Sequence, residues 1–131
     1  KKRNETVVLI GGPEDFSIGK IIESNCDNVI NTCGKYNINE SAFIVNNSDL
    51  LITHDTGMMH IAAALGKKIF SIFGGTHPNL GFTPYIPNSE NRIIQIENLN
   101  CRPCHRYGKS KCPKGHFKCM QEIDENNFLS E

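Results

Sequence analysis

Three short runs of this sequence carry residue types suited to holding an anionic, hydroxyl-rich ligand. His54-Asp55-Thr56-Gly57 precedes an apolar stretch with His60 three residues on, Gly11-Gly12-Pro13-Glu14-Asp15 follows the first apolar run, and Gly74-Gly75-Thr76-His77-Pro78 follows a later one. A helix opening at Gly57 presents its first backbone N–H groups without intrahelical partners, and its dipole favours a phosphate there. Gly57 lets an oxygen approach the main chain, and Thr56 adds a hydroxyl. Asp55 repels a phosphate unless it caps the helix or accepts from hydroxyls of a ligand such as a sugar. For Asp55 and Thr56, a plain N-cap and a ligand contact are both open. His60 reads either as a core histidine bonded to a carbonyl or as a donor to a phosphate or leaving group. Glu14 and Asp15 are either first-turn acids favoured by the dipole or acceptors for a ribose diol. Gly74-Gly75-Thr76 is a strand-end turn or a further set of close backbone donors.

A second chemistry sits near the end of the chain. Cys101 and Cys104 have the C-x₂-C spacing of a zinc knuckle, whereas Cys112 and Cys119 do not repeat it. A structural zinc on Cys101, Cys104, Cys112 and Cys119, reduced thiols, and disulfides are the three readings, and such a zinc would have no open position to activate water. Cys26 and Cys33 read as small buried residues. Arg102, Arg106, Lys109, Lys111, Lys114 and Lys118 interleave with the cysteines, which supports a competing class. That class is a zinc-ribbon-like binding module making weak, salt-dependent contact with nucleic acid or an anionic lipid surface.

The elements that must position these residues follow from the hydrophobic pattern. Strands are expected at 6–10, 28–31, 50–53, 68–73 and 92–96, rich in Ile, Val and Phe and bounded by Gly, Asn or Asp. Ile18, Ile21 and Ile22 give one helix a face to pack on a sheet, and Ile38, Ala42 and Val45 give a second the same register. Asn37 with Glu40 resembles a capping box before that second helix. The third helix, 57–65, is apolar almost all round and should be buried on more than one side, ending at Gly66. Strand–helix alternation argues for a Rossmann-like, doubly wound parallel α/β sheet, whose ligands bind beyond the strand carboxyl ends. All three chemistry-bearing runs follow strands, so they should converge on one edge. Residues 74–91 should be mostly loop. We expect residues 1–99 to form this Rossmann-like domain and 100–131 a Cys-rich segment and C-terminal helix packed on it.

Composition narrows the class. The 131 residues carry 14 Lys+Arg and 14 Asp+Glu, so long-range attraction to nucleic acid is absent and no nucleic-acid partner is expected. Nothing reaches the ~20 apolar residues of a membrane span, and the basic start lacks an apolar signal region, so a cytoplasmic protein is expected. The run from Lys1 almost directly into Val7-Val8-Leu9-Ile10 reads as a piece of something longer.

The stretch 48–78, with its Asp-Thr-Gly-x-x-His-x-x-x-Ala-Leu-Gly core at 55–66, resembles glycosyltransferase family 9, the bacterial ADP-heptose:lipopolysaccharide heptosyltransferases. The likeness extends to Gly11-Gly12-Pro13-Glu14-Asp15, Gly34-Lys35, Cys101-Arg102-Pro103-Cys104, Cys112 and Cys119-Met120. It implies the C-terminal, donor-binding half of a two-domain GT-B enzyme of lipopolysaccharide core biosynthesis. Thr56 and Gly57 would hold the diphosphate of an ADP-sugar, Asp55 would contact the sugar or order the loop, and His60 would lie near the phosphates and stabilise the leaving group. Glu14 or Asp15 beside Gly12 would take the ribose, Lys35, Tyr36 and Ile38 would surround the adenine, and Gly75 and Thr76 complete the donor-binding set. The family's catalytic base is an aspartate of the acceptor-binding half, and nothing here matches it, so this chain alone should bind donor without turnover. The lipopolysaccharide inner-core acceptor would be reached through that missing domain, at the inner face of the inner membrane with peripheral contact. No metal cofactor is required, in keeping with the lack of an Asp-x-Asp pair. A nucleotide-sugar epimerase sharing the GT-B architecture is the third class.

Overall fold

The computed structural model describes residues 5–85 and 90–128. The basic start at 1–4 and the part of the expected loop at 86–89 lie outside the described residues. Contacts divide the chain into two compact units, Lys1–Ile44 and Val45–Glu131, each taken here by itself.

The first unit holds β1 (Val7–Leu9), α1 (Phe16–Asn25), β2 (Val29–Asn31) and the start of α2 (Ile38–Asn46). The two strands pair in parallel, Val7 opposite Val29 and Leu9 opposite Asn31. The capping box before α2 is present: Asn37 Oδ1 accepts from Asn39 N–H at 2.9 Å and Glu40 N–H at 3.1 Å, while Glu40 returns a carboxylate to Asn37 N–H at 2.8 Å. Such reciprocal capping contributes about 1 kcal/mol to a helix start.

One expectation fails in α1. Ile18 and Ile21 are exposed, at 62% and 64%, and Ile22 is exposed too; the buried residue of the helix is Gly19. Two strands of three residues are too narrow to cover an isoleucine stripe. What joins the helix to the strand is polar. Asn31, buried at the end of β2, donates from Nδ2 to Phe16 O at 3.1 Å, accepts from Cys33 N–H on Oδ1 at 3.1 Å, and donates its backbone N–H to Glu23 at 2.8 Å. A Cβ at Gly19 would lie 2.4 Å from Asn31 Oδ1, so the helix reaches this clasp only with glycine there. The Asn31 N–H, with Lys20 beside it, holds the Glu23 carboxyl below its ordinary range.

The second unit holds β3 (Leu50–His54), α3 (Gly57–Ala64), β4 (Lys68–Ile72), β5 (Arg92–Ile94) and the single turn α4 (Lys118–Gln121). Its sheet order is β3-β4-β5, all parallel. As the central strand, β4 buries Ile69, Phe70 and Ser71 in succession, as a strand covered on both faces requires. Among the described residues the buried Ser71 hydroxyl has no hydrogen-bond partner. Helix α3 buries Met59, Ala62 and Ala63 and leaves His60, Ala64 and Leu65 exposed, so the expected burial on several sides is corrected to a single stripe. It stops as Gly66 predicts: Gly66, at φ +67°, donates to Ala63 O and Lys67 donates to Ala62 O. The parallel α/β class expected from the sequence is the one observed. Among the described residues no helix is long and apolar enough to cross a membrane.

Candidate functional site

Parallel pairing sends the loops that follow the strands of each unit to one edge. In the first unit the loop after β1 folds into a 3₁₀ turn, Pro13–Asp15, closed by Gly12 N–H donating to Asp15 Oδ2 at 2.9 Å. Asp15 is thus engaged in shaping its own turn, while Glu14 is exposed. The loop after β2 lies against this turn. Gly34 N–H donates to Gly11 O at 2.9 Å, and Thr32 Oγ1 donates to Leu9 O at 2.6 Å. Gly34 has φ +71°, and a Cβ there would stand 2.8 Å from Pro13 Cα, so only glycine permits the approach. The structure therefore brings Gly12, Glu14 and Asp15 to the same edge as Lys35, Tyr36 and Ile38, all three of which are exposed. Cys33 is buried while Cys26, following α1, is exposed, which corrects the expectation for Cys26. Burial pushes the Cys33 thiol up, and the Asp15 charge adds to it.

In the second unit Asp55 follows β3 and Thr56 is the backbone N-cap of α3. No side chain caps the helix, so the plain N-cap reading of the Asp55 and Thr56 side chains is set aside. The Thr56 hydroxyl stands 3.1 Å from that of Thr53, and nothing beyond the adjoining residues and the helix backbone lies within 4 Å of where a Gly57 Cβ would sit. An 8-residue helix thus opens with unoccupied space at its first residue. His60 is exposed, which overturns its reading as a core histidine.

Beside this terminus lies a cavity of about 440 Å³, within the range of small-molecule sites. His54 at the end of β3 and Asp55 just after it line it, with Gly74, Gly75 and Thr76 from the loop after β4 and residues of the Cys-rich segment. Of the expected donor-binding residues, Asp55, Gly75 and Thr76 meet there; Thr56, Gly57 and His60 do not line it.

The residue that organises this region escaped sequence reading. Arg102, read as one of a basic run, directs its guanidinium into carbonyls: Nε to Gly74 O, Nη1 to Ile96 O at 2.6 Å, and Nη2 to Thr76 O, Phe73 O and Gln95 Oε1 at 2.9, 3.0 and 3.1 Å. Cys104 N–H adds a bond to Gly75 O at 2.9 Å. With the carbonyls of Gly74, Gly75 and Thr76 turned to the Cys-rich segment, trans peptide geometry turns the N–H groups of the following residues the other way. A Cys-x-x-Cys pair flanking an arginine was the only sequence signal for this role.

Of the three readings of the four clustered cysteines, zinc finds no support and the thiols are free. Among the described residues no three His, Cys, Asp or Glu side chains are grouped so as to hold a metal ion. The sulfurs have other partners: Cys104 Sγ donates to Cys101 O at 3.1 Å, Cys112 Sγ accepts from Phe117 N–H at 3.4 Å, and Cys101 Sγ stands 3.8 Å from His116 Nε2. Burial, then the neighbouring Cys101 and Cys112, raises the Cys104 thiol, and burial raises Cys119 likewise. Backbone N–H bonds, that of Phe117 first, lower Cys112.

Fold and site together define a parallel α/β protein that carries its polar chemistry at the strand carboxyl ends. The chain belongs to glycosyltransferase family 9 (heptosyltransferase), whose family model matches residues 1–114. It is similar to lipooligosaccharide heptosyltransferase 2 of Haemophilus influenzae, 32% identical over 78% of this chain and 31% of the relative, and to that of Campylobacter jejuni, 31% identical over 87% and 34%. Among solved structures, the Escherichia coli ADP-heptose lps heptosyltransferase II aligns with TM-score 0.63 and 25% identity over 72% of this chain and 29% of that one. The glycosyl transferase family 9 of Veillonella parvula shares the fold, with TM-score 0.72 and 22% identity over 95% of this chain and 34% of that one. The chain thus spans about a third of the length of the relatives it matches.

Proposed function

We propose that this chain is the donor-binding part of an inverting heptosyltransferase of lipopolysaccharide core biosynthesis, taking an ADP-heptose-type nucleotide sugar. The observation that carries the reading is the uncapped start of α3 at Thr56-Gly57, next to Asp55 on the wall of a sugar-sized cavity. Family membership, and relatives named as heptosyltransferases, support it. In this reading the diphosphate takes the N–H groups at Gly57 and the Thr56 hydroxyl, and Asp55 accepts from sugar hydroxyls. Gly75 and Thr76 supply further contacts. Glu14 takes the ribose, with Gly12 and Asp15 shaping its loop, and Lys35, Tyr36 and Ile38 receive the base.

In the transfer, an acceptor hydroxyl oxygen bonds to the anomeric carbon while the bond from that carbon to the diphosphate oxygen breaks, its electron pair leaving with the nucleotide. The hydroxyl proton goes to a base outside this chain. Charge growing on the leaving diphosphate is stabilised by the α3 terminus and the exposed His60 more strongly in the transition state than before it. The reading places the enzyme in the cytoplasm, peripheral to the inner membrane that bears the lipopolysaccharide acceptor.

Calorimetry with ADP, UDP and GDP tests it. ADP should bind tightest, and Thr56→Val with Gly57→Ala should weaken ADP at least about tenfold, the loss of roughly one charge-assisted bond. Equal binding of the three nucleotides, or intact ADP binding in the variant, would refute the assignment.

A further inference from the structure

We propose that the loop from Cys104 to Cys112 is the second wall of the sugar site, and that Lys109 and Lys111 on it take a phosphate or carboxylate carried by the ligand. This rests on the cavity lying in a sugar-transferring protein, and it adds a wall beyond the Asp55-Thr56-Gly57 motif.

The first observation is how the loop is held. Arg102 and the Cys104 N–H fasten its base to the carbonyls of Gly74, Gly75 and Thr76. Tyr107 packs its ring 5.9 Å from that of Phe82, and a Cβ on Gly108 would stand 3.6 Å from Thr76 Cγ2. The loop is therefore docked against the β4 strand end, with its lysines on a wall of the cavity.

The second observation is the charge arrangement. Among the cavity's lining residues Asp55 is the one acid, and Lys109 and Lys111 are the two cations, on a different segment. Residues 99–121 contain six Lys and Arg and no Asp or Glu, in a chain whose charges cancel only when this segment is included. Arg102 is bonded to neutral carbonyls, and Lys118 pairs with Glu122 at 3.6 Å. Lys109 and Lys111 have no ion pair among the described residues, so their charge is available to a ligand. A cavity whose lining carries one carboxylate and, on another segment, two ammonium groups fits a molecule that bears both hydroxyls and negative charge: an acidic sugar or a sugar phosphate.

The charge has two possible sources, the donor diphosphate or an anionic substituent of the acceptor sugar, and the test separates them. The 131-residue chain and its Lys109→Gln/Lys111→Gln variant are titrated by calorimetry with ADP, inorganic pyrophosphate, glucose 6-phosphate and glucose. The variant should bind at least one phosphate-bearing probe about tenfold more weakly, and Lys109→Arg/Lys111→Arg should keep most of the affinity. Raising ionic strength from about 0.05 to 0.3 M should shrink the difference, as screening requires. Loss confined to glucose 6-phosphate assigns the anion to the acceptor sugar; loss shared by ADP and pyrophosphate assigns it to the donor. Unchanged binding of every probe would overturn the proposal, as would an effect seen only as lost retention on anionic phospholipid vesicles. A wild-type chain indifferent to ADP but binding glucose 6-phosphate through the lysines would refute the donor reading and uphold this one. ADP binding that needs Thr56-Gly57 and ignores the lysines, with glucose 6-phosphate also indifferent to them, would do the reverse.

Discussion

Replacing Arg102 by alanine removes a single side chain that ties together five acceptors from two segments, 73–76 and 95–96. The guanidinium Nη2 shares its two hydrogens among three of those acceptors, so the hub amounts to about four bond equivalents. The acceptors of Gly74, Gln95 and Ile96 are only partly buried and regain water, so about 1 kcal/mol for each bond equivalent, the figure for neutral bonds, is the right scale and gives roughly 4 kcal/mol. At this chain length about 3 °C per kcal/mol converts that to a fall in Tm of roughly 12 °C. The loss also frees Gly74-Gly75-Thr76, so ADP affinity should drop with stability. Arg102→Lys should recover less than half of either quantity, because an ammonium has three donors at one point and cannot reach both β4 and β5 ends. Thermal melts by circular dichroism and nucleotide calorimetry on the same samples check both. A shift below about 3 °C for the alanine variant, or full rescue by lysine, would refute the hub.

Two further outcomes follow from named contacts. Gly34→Ala places a Cβ against Pro13 Cα at a left-handed backbone position, and should destabilise the first unit by about 2 kcal/mol or more, read as a urea midpoint shift. With iodoacetamide near neutral pH, Cys112 should alkylate several-fold faster than Cys104 or Cys119, because N–H bonds favour its thiolate while burial disfavours theirs. Peptide mass spectrometry that finds Cys104 or Cys119 modified first would refute that order.

The parallel α/β class, the capping box at Asn37, the stop at Gly66 and the placing of chemistry after strands were legible because each rests on local pattern. Periodicity misled at Ile18, Ile21 and Ile22, since an apolar stripe says that a helix has a face to bury but not that its own unit supplies the cover. It overstated the burial of α3 for the same reason. Arg102 was illegible in its role because all but one of its acceptors are main-chain carbonyls, which every residue possesses and no side-chain pattern marks. The cysteines suggested a metal by spacing alone, and spacing does not by itself bring three ligands together.

The Asn31 clasp has a calorimetric consequence. A helix fixed to its strand by an asparagine's hydrogen bonds and a glycine, with its isoleucines exposed, loses little apolar contact when it detaches. Heat capacity of unfolding tracks apolar area newly exposed, and the slope against denaturant tracks total area. Opening of the first unit should therefore leave a faint heat-capacity signature and a shallow urea dependence compared with the second, where Ile69 and Phe73 come out of full burial. Its opening would be seen more readily by amide exchange at the Asn31 N–H than by calorimetry.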